Sequence, residues 1–385
     1  MLAATVRVTR DLDVAEEAVQ DAYVQALEHW PREGVPANPG AWLTTVARRR
    51  ALNVMARAKT LDAKLPLLLE TDDPPEEDVI GDDRLRLVFI CCHPALARES
   101  QLALTLRLVC GVTTADVAHA FLVSEATMAA RITRAKKKIA AARIPYVVPE
   151  PDELPARLDA ALTVIYLLYT TGHTAPAGDD LVRAELTARG LDLARMLHAL
   201  LGDGEAAGLL ALLLCHEARR HTRTDTDGRL LRLAEQDRTR WDRERIAEAD
   251  GLIVGALRAG GSGRFLLQAA IAALHAQAPS SAETDWPQIL DLYDALLRVW
   301  PSPVVALNRA VALAMVDGPA AALAEVEALE RDGRLAGYRY LPATRADLLG
   351  RLGRHAEAAD AYRAALALTA NEAEQAFLEV RLDAL

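Results

Sequence analysis

The residues whose types most clearly indicate a chemistry are the cations of a basic run in the first half of the chain. Residues 131–143 contain three arginines and three lysines and no acidic residue, on a chain whose formal net charge is −10. Guanidinium and ammonium groups at this density attract phosphate groups. The run therefore predicts binding to a polyanion such as a nucleic acid.

The uneven distribution of charge indicates where such a partner would bind. Residues 1–145 hold 19 Lys+Arg and 19 Asp+Glu, whereas the remaining residues hold 25 and 35, which accounts for the whole net charge of −10. We therefore expect a polyanion to be attracted to the N-terminal part and repelled by the rest of the chain.

The basic run ends a pattern typical of a helix-turn-helix, which extends over Thr113 to Arg143. Thr113 or Thr114 is expected to cap the first helix, and Leu122-Val123 to form the turn. Ser124 is expected to cap the second helix, because a hydroxyl oxygen accepts hydrogen bonds from the free amides of a first turn. Apolar residues fall where a helix-turn-helix buries them: Val117, Ala118, Phe121, Val123, Met128 and Ile132.

The outward face of the second helix carries the side chains that would contact DNA. Thr127, Arg131 and Arg134, with Ala130 among them, are spaced to reach base edges in a major groove. Three consecutive lysines are better placed for phosphates, which position a protein on DNA but carry no sequence information. These are Lys136, Lys137 and Lys138. On local pattern alone, two packed helices with a basic tail remain an alternative.

A second amphipathic segment, over 11–27, has a strongly polar face that includes Asp13, Glu16, Gln20 and Asp21. Its apolar residues recur at helical spacing, which predicts a helix. The polar face is interpreted either as a solvated surface or as a docking surface for another protein.

Behind a Pro/Gly-rich loop over 29–40, the segment 41–59 is predicted to form a helix with a packing face that includes Trp42 and Leu52. Its other side is basic, with Arg48 and Arg49 among its cations. A basic helix is most often simply solvated. A tryptophan beside cations could instead hold a single nucleic-acid strand, through phosphate charge and base stacking.

The clusters that could imitate a metal or catalytic site do not have the spacing that such chemistry needs. Adjacent Cys91-Cys92 cannot easily chelate one ion, and no second Cys/His pair follows, so core packing is expected. His216 and Glu217 are neighbours that point apart on a helix, and no H-E-x-x-H motif accompanies them. We therefore expect no metal, no cofactor and no catalytic residue.

Composition favours an all-α protein, because strand signals are scarce in a chain that is 51% hydrophobic and 4% aromatic. No apolar run is long enough to span a membrane, and no signal peptide is apparent, so a cytoplasmic protein with reduced cysteines is expected. Composition shifts and an acidic linker predict five segments: 1–59, 60–82, 83–145, 146–285 and 286–385.

The C-terminal part shows degenerate internal repetition of the tetratricopeptide (TPR) kind. Tyr293 is followed by Pro301, as at the end of such a unit, and small residues recur where paired helices approach closely. The small and apolar positions are Ala310, Ala322, Val326, Ala346, Gly353, Ala358, Tyr362 and Ala365. TPR-like stacks usually present a groove, so a peptide or another domain is the expected partner.

The order of these parts resembles an extracytoplasmic-function sigma factor. The resemblance rests on DLDVAEEAVQDAYVQAL, WLTTVARRRALN and TTADVAHAFLVSEATMAARITRAKKKI. The series CCHPALA, GDDLVR, HEARR, DRTRWDR and TDWPQILDLYDAL resembles the subgroup with a large C-terminal extension. The resemblance implies an all-α fold. This fold would comprise sigma region 2, a region 4 helix-turn-helix and a C-terminal helical array ending in TPR-like repeats.

The resemblance implies a role for each group of residues. Asp13, Glu16, Gln20 and Asp21 would dock on core RNA polymerase; Trp42, Arg48, Arg49 and Asn53 would lie near the unpaired strand of the −10 element. Thr127, Arg131 and Arg134 would read the −35 element of promoter DNA. The full set expected to bind this element also includes Ser124, Lys136, Lys137 and Lys138. Two departures are noted: the residues before Asp11 are too few for the helix that the family has there, and Ala129-Ala130 replace the Arg-Ser of many relatives, which favours shape readout.

The sequence thus predicts an alternative sigma factor that is not itself an enzyme, with a C-terminal extension that regulates it. The alternative is a TPR-type scaffold whose DNA-binding helix-turn-helix does not support initiation.

Overall fold

The computed structural model describes residues 1–62, 83–121, 123–146, 153–174, 177–178, 182–226 and 228–385. Helices form nearly all of its regular structure, which confirms the predicted all-α class. The chain divides into two units, Met1–Ile165 and Tyr166–Leu385. Among the described residues, none of the helices combines the length and apolarity needed to cross a bilayer. The five predicted segments remain predictions.

The first unit consists of short and medium helices and the start of a helix that continues into the second unit. They are α1 (Leu2–Thr9), α2 (Leu12–Glu33), α3 (Pro39–Asp62), α4 (Asp83–Cys91), α5 (Arg98–Leu108), α6 (Thr114–Ala120), α7 (Glu125–Ala141) and α8 (Leu154–His173). The acidic linker predicted over 60–82 lies outside the described residues from 63 onward, as does Leu122 of the predicted turn.

Helix α1 corrects the expectation that no helix precedes the acidic one. Its Ala3 and Val6 are buried, and α1 packs against α2, α3 and α4. A helix of eight residues is marginal by itself, so this tertiary burial, which local sequence does not reveal, stabilises it. Arg10, with φ 52°, closes the helix by donating its N–H to the carbonyl of Val6.

Helix α2 continues through part of the predicted Pro/Gly loop, which in the structure is limited to 34–38. Asp11 caps its start by accepting from the amides of Asp13 and Val14 at 2.8 and 3.0 Å. Pro31 is tolerated in the last turn, because it removes a single helical hydrogen bond, to the carbonyl of the exposed residue Leu27. Gly34, at φ 86°, ends the helix.

Alanines allow α2 and α3 to pack closely. Ala22 and Ala26 meet Leu43 and Ala47 in one buried cluster, with Trp30 and Trp42 at its edge. Leu52 was predicted to pack, but its side chain is 52% exposed. Cys91 and Cys92 are fully buried near the end of α4, which agrees with the expected core packing.

The second unit contains the rest of α8 and a succession of helices with one parallel strand pair. The further elements are β1 (Ala177–Gly178), α9 (Ala184–Leu201), α10 (Gly204–Ala218), α11 (Arg243–Arg258), α12 (Arg264–Gln277), α13 (Trp286–Val299), α14 (Pro303–Val316), α15 (Pro319–Asp332), α16 (Tyr340–Arg351), α17 (His355–Ala367), β2 (Ala370–Asn371) and α18 (Glu372–Asp383). In the pair, Ala177 and Gly178 lie opposite Ala370 and Asn371.

Glycine permits a close contact between α10 and α12. A Cβ atom on Gly208 would lie 2.4 Å from the backbone nitrogen of Leu266. Around this contact α10 is almost entirely buried from Ala206 to Cys215. The contact fixes which side chains of α10 and α12 face one another.

All but one of the small and apolar positions of the proposed repeats are buried between helices α14 to α17; the exception is Gly353, which is exposed. The buried positions share one core cluster: Ala310, Ala322, Val326, Ala346, Ala358, Tyr362 and Ala365. Close helix approach therefore explains why these residues are small, while the TPR-like character of the array remains a prediction.

Candidate nucleic-acid interface

The helix-turn-helix forms from α6 and α7, as the cap and apolar pattern predicts. The Ser124 hydroxyl accepts a hydrogen bond from the amide of Thr127 at 3.3 Å, which confirms it as the cap of α7. Thr113 accepts from the amide of Asp116 at 3.1 Å at the start of α6. The predicted apolar residues are buried or half-buried: Val117, Ala118, Phe121, Val123, Met128 and Ile132.

The exposed face of α7 presents most of the predicted DNA-contacting residues to solvent. Exposed side chains are those of Ser124, Thr127, Arg134, Lys137 and Lys138. Arg131 differs, because it is half-buried and its guanidinium carbon lies 5.8 Å from the centroid of the Phe121 ring. This cation–π contact fixes the Arg131 side chain near the first helix of the motif.

Lys136 is not free for phosphate in this structure. Its ammonium group donates to Asp13 Oδ1 at 2.9 Å and to Glu16 Oε2, both on α2. Burial alone would lower the pKa of Lys136, but the hydrogen bonds to Glu16 and Asp13 outweigh it and raise that pKa above its ordinary value. A predicted DNA contact is thus paired with two predicted polymerase contacts.

Other contacts within the first unit also join the two predicted sigma regions. The Tyr146 hydroxyl donates to the carbonyl of Ala3 at 2.9 Å, and helix α1 packs against α4. The described part of this unit is therefore closed by contacts of α2 with α7 and of α1 with α4. Local sequence patterns contain no signal for contacts between residues this far apart.

Of the other two residues of α2 that are predicted to contact polymerase, one is exposed and one forms a second ion pair. Gln20 is exposed, while Asp21 Oδ2 accepts from Arg50 Nε at 2.6 Å on α3. The ion pair between Arg50 and Asp21 links α3 to α2. Asp21 is thus less available to a partner than Gln20.

An apolar extension of the α2 polar face was missed at the sequence level. Tyr23, Val24 and Leu27 are 52%, 53% and 76% exposed. They follow Gln20 at three-, four- and seven-residue spacing, which places them on one helix face. Exposed apolar residues beside polar ones are typical of a protein-binding surface. The same spacing could have revealed them.

The predicted single-strand face on α3 is largely exposed. Arg48, Arg49 and Asn53 point to solvent. Trp42 is half-buried, and its ring meets that of Trp30 edge-on at 5.6 Å between centroids. Part of Trp42 is therefore used to pack α3 on α2, and only its remaining surface is open to a base.

Elsewhere, the described part of the chain contains no group of three or more His, Cys, Asp and Glu residues arranged to hold a metal ion. Glu217, adjacent to His216, is buried and accepts from the Tyr169 hydroxyl at 3.1 Å. It also pairs with Arg220 at 2.8 Å. These partners satisfy Glu217 within the fold.

Comparison with known families agrees with this arrangement. The chain matches the family models of Sigma-70 region 2 over 2–60, Sigma-70, region 4 over 86–139, and a Family of unknown function (DUF6596) over 157–257. A protein of Rhizobium meliloti (strain 1021) described as uncharacterized is 44% identical over 394 residues, covering 100% of this chain and 93% of that protein. No solved structure matches.

Proposed function

The chain belongs to the extracytoplasmic-function-like sigma factors with a large C-terminal extension, and from its surfaces we propose that it binds core RNA polymerase and directs transcription initiation through both promoter elements. A role in promoter recognition follows from the region 2 and region 4 domains. The observation that carries the finer proposal is that one unit combines an exposed docking face on α2 with a basic recognition helix, α7.

For the polymerase contact, the proposal uses the polar face of α2 together with its apolar extension. Asp13, Glu16, Gln20 and Asp21 would supply charge and hydrogen bonds. Tyr23, Val24 and Leu27 would supply the apolar area that interfaces bury at their centres. The catalytic chemistry belongs to the polymerase in this account.

At the −35 element, α7 would lie in the major groove. Thr127 and Arg134 would reach base edges, and an arginine there can bond the two acceptors of guanine. Lys137 and Lys138 would contact phosphates. Arg131, held against Phe121, would contribute from a fixed position.

For the −10 element, the proposal uses the exposed polar face of α3. Arg48 and Arg49 would neutralise phosphates of the unpaired strand, and Asn53 would lie near its bases. Trp42 would contribute the ring surface that Trp30 leaves open.

The contacts of Lys136 support the proposal that polymerase binding is regulated by a contact within the first unit. Because Lys136 occupies Asp13 and Glu16, the closed first unit cannot offer these groups to polymerase and DNA at the same time. Opening of this contact would therefore accompany binding to polymerase. We expect the C-terminal extension to influence this step, with its TPR-like helices receiving a partner.

Binding of the full chain to purified core polymerase on a sizing column tests the proposal. Comigration is expected, and Leu27→Asp should abolish it, because a carboxylate would be buried in the apolar part of the interface. Val380→Asp is the matched control, since Val380 is also an exposed apolar residue, 57% exposed, on α18.

Loss of comigration in both variants, or in neither, would contradict the assignment of the α2 face. Failure of the unsubstituted chain to comigrate would favour the alternative, a TPR-type scaffold with a DNA-binding motif.

A further inference from the structure

The second unit contains a cavity of about 410 Å³ bordered by α8, α10, α12, α13 and α14. This volume lies within the range of small-molecule sites, roughly 300–1,000 Å³. Three aromatic side chains line it: Tyr166, Trp241 and Tyr293. Such rings provide flat apolar surface for a ligand of comparable shape.

Among the described residues that line the cavity, Arg219 is the one arginine or lysine, and none is Asp or Glu. Its Nη2 donates to the Nδ1 of His216 at 3.1 Å, and no ion pair of the described residues includes it. Glu217, the carboxylate next to His216, forms an ion pair with Arg220 and accepts a hydrogen bond from the Tyr169 hydroxyl. A desolvated guanidinium without an acidic partner is unusual, because buried charges are normally paired.

The cations near Arg219 also lack carboxylate partners among the described residues. Arg223 Nη2 donates to Thr174 Oγ1 at 3.0 Å, and Arg238 Nη1 donates to the carbonyls of His275 and Ala278 at 2.6 and 2.7 Å. Burial, and then Arg223, lower the pKa of Arg219 to about 10, so it remains cationic at neutral pH. Among the described residues, none of these three guanidiniums therefore forms an ion pair with a carboxylate.

The histidines of the cavity supply hydrogen-bonding groups and no charge at neutral pH. Burial, followed by the charges of Arg219 and Arg238, lowers the pKa of His275 to about 4. Burial, followed by Arg219 and Arg223, lowers that of His216 as well. Because His216 Nδ1 accepts from Arg219, its neutral ring carries the proton on Nε2. His275 Nδ1 is buried without a hydrogen-bond partner among the described residues.

We propose that this cavity is a binding site for a small organic carboxylate with an aromatic body. The carboxylate would pair with Arg219, whose planar fork matches its two oxygens, and the ring would lie against Tyr166, Trp241 and Tyr293. The site combines residues of the family of unknown function with residues of α12 to α14. The proposal is independent of the promoter function.

Calorimetric titration of the full chain tests the ligand class with benzoate, phenylacetate and indole-3-acetate, each beside its neutral amide. At least one carboxylate is expected to bind with one-to-one stoichiometry. Its amide should bind about 10- to 100-fold more weakly, because the charge-assisted hydrogen bonds to Arg219 are lost. This comparison needs no variant and so does not depend on the folding of one.

Arg219→Gln should weaken the same carboxylate by about 10- to 100-fold and leave the amide nearly unchanged. Arg229→Gln is the control, because Arg229 is an exposed arginine of the same unit that does not line the cavity. A melting transition recorded for each variant shows that it is folded.

Three results would overturn the proposal. They are the absence of binding by all three carboxylates at millimolar concentration, equal binding of acids and amides, and unchanged carboxylate binding by folded Arg219→Gln protein.

Discussion

Two groups of buried or half-buried cations in this chain differ in whether carboxylates pair with them. In the first unit, Lys136 is paired with Asp13 and Glu16. In the second, Arg219, Arg223 and Arg238 bond to a neutral imidazole, a hydroxyl and carbonyl oxygens. The charge of Lys136 is thus neutralised by carboxylates of the chain. The arginines of the second group have no such partner among the described residues, and Arg219 could pair with the carboxylate of the proposed ligand.

The difference bears on what each group can do. In the Lys136 group, Asp13 is 71% exposed, and an exposed pair contributes only up to about 1 kcal/mol, so a partner can displace the Asp13 contact at little cost. Lys136 and Glu16 are 14% and 17% exposed, so their pair is the firmer of the two. A desolvated arginine gains more from an anion that enters a cavity with it. The Lys136 group is therefore suited to a contact that breaks when a partner binds. The Arg219 group is suited to a site that binds a small anion.

The largest expected effect concerns the scaffold of the second group. Gly208→Ala should lower the free energy of unfolding by about 3 kcal/mol, because its Cβ would lie 2.4 Å from Leu266 N on a buried backbone. Chemical denaturation of the full chain measures this, followed through the second unit by hydrogen exchange. Gly251→Ala is the control; nothing lies within 4 Å of its Cβ, and it should be neutral or slightly stabilising. Equal stability of both variants would show that the α10–α12 contact is less constrained than described.

The next effect tests which cations of α7 read sequence. Arg134→Ala should weaken binding to the preferred −35 sequence by about 1–3 kcal/mol and relax its specificity. Lys137→Ala should weaken all sequences about equally, since phosphate contacts carry no sequence information. Competition binding to specific and scrambled duplexes distinguishes the two. Identical behaviour of both variants would contradict the assignment of Arg134 to base reading.

A smaller effect tests the closed contact. Lys136→Ala should raise the affinity for core polymerase by about fivefold, because Asp13 and Glu16 no longer have to be released from Lys136, and the exposed Asp13 pair alone contributes up to about 1 kcal/mol. Lys138→Ala, an exposed lysine of the same helix, should leave this affinity unchanged. Titration of labelled chain with polymerase in the absence of DNA gives both values. A decrease for Lys136→Ala would indicate that this lysine itself contacts polymerase.

The smallest effect is on the pH dependence of the second unit. The pKa of His275 is lower in the folded chain than its ordinary value, so the unfolded chain binds more protons below pH of about 6.5. Stability should thus be complete above that pH and fall as the pH decreases towards about 4. Between pH of about 7.5 and 6, the part of this loss due to His275 alone should be below about 1 kcal/mol. His275→Gln should reduce this slope, while His173 and His216 retain part of it. An unchanged slope would contradict the neutral buried state of His275.

Local patterns predicted the elements that depend on neighbouring residues. The cap at Ser124 and the apolar face of α7 follow from spacing within one or two turns. Helix α1 was missed because its stability comes from burial against α3 and α4 and not from its own eight residues. The exposure of Leu52 likewise depends on which side of α3 meets α2.

The pairings between distant residues could not be predicted from one sequence. Lys136 and Asp13 are 123 positions apart, and nothing in either local pattern specifies that they meet. His216 and His275 lie on different helices, and only the packing of α10 on α12 brings both to one cavity. Individual charges could therefore be selected as candidates from the sequence, while their partners required the three-dimensional arrangement.

Run-off transcription by reconstituted core polymerase, on a library of upstream regions from the source genome, is the decisive test of a role in initiation. We expect discrete transcripts that require this chain, are lost with Leu27→Asp and persist with Val380→Asp. The same transcripts from core polymerase without the chain, or no chain-dependent transcript at all, would contradict its role in initiation.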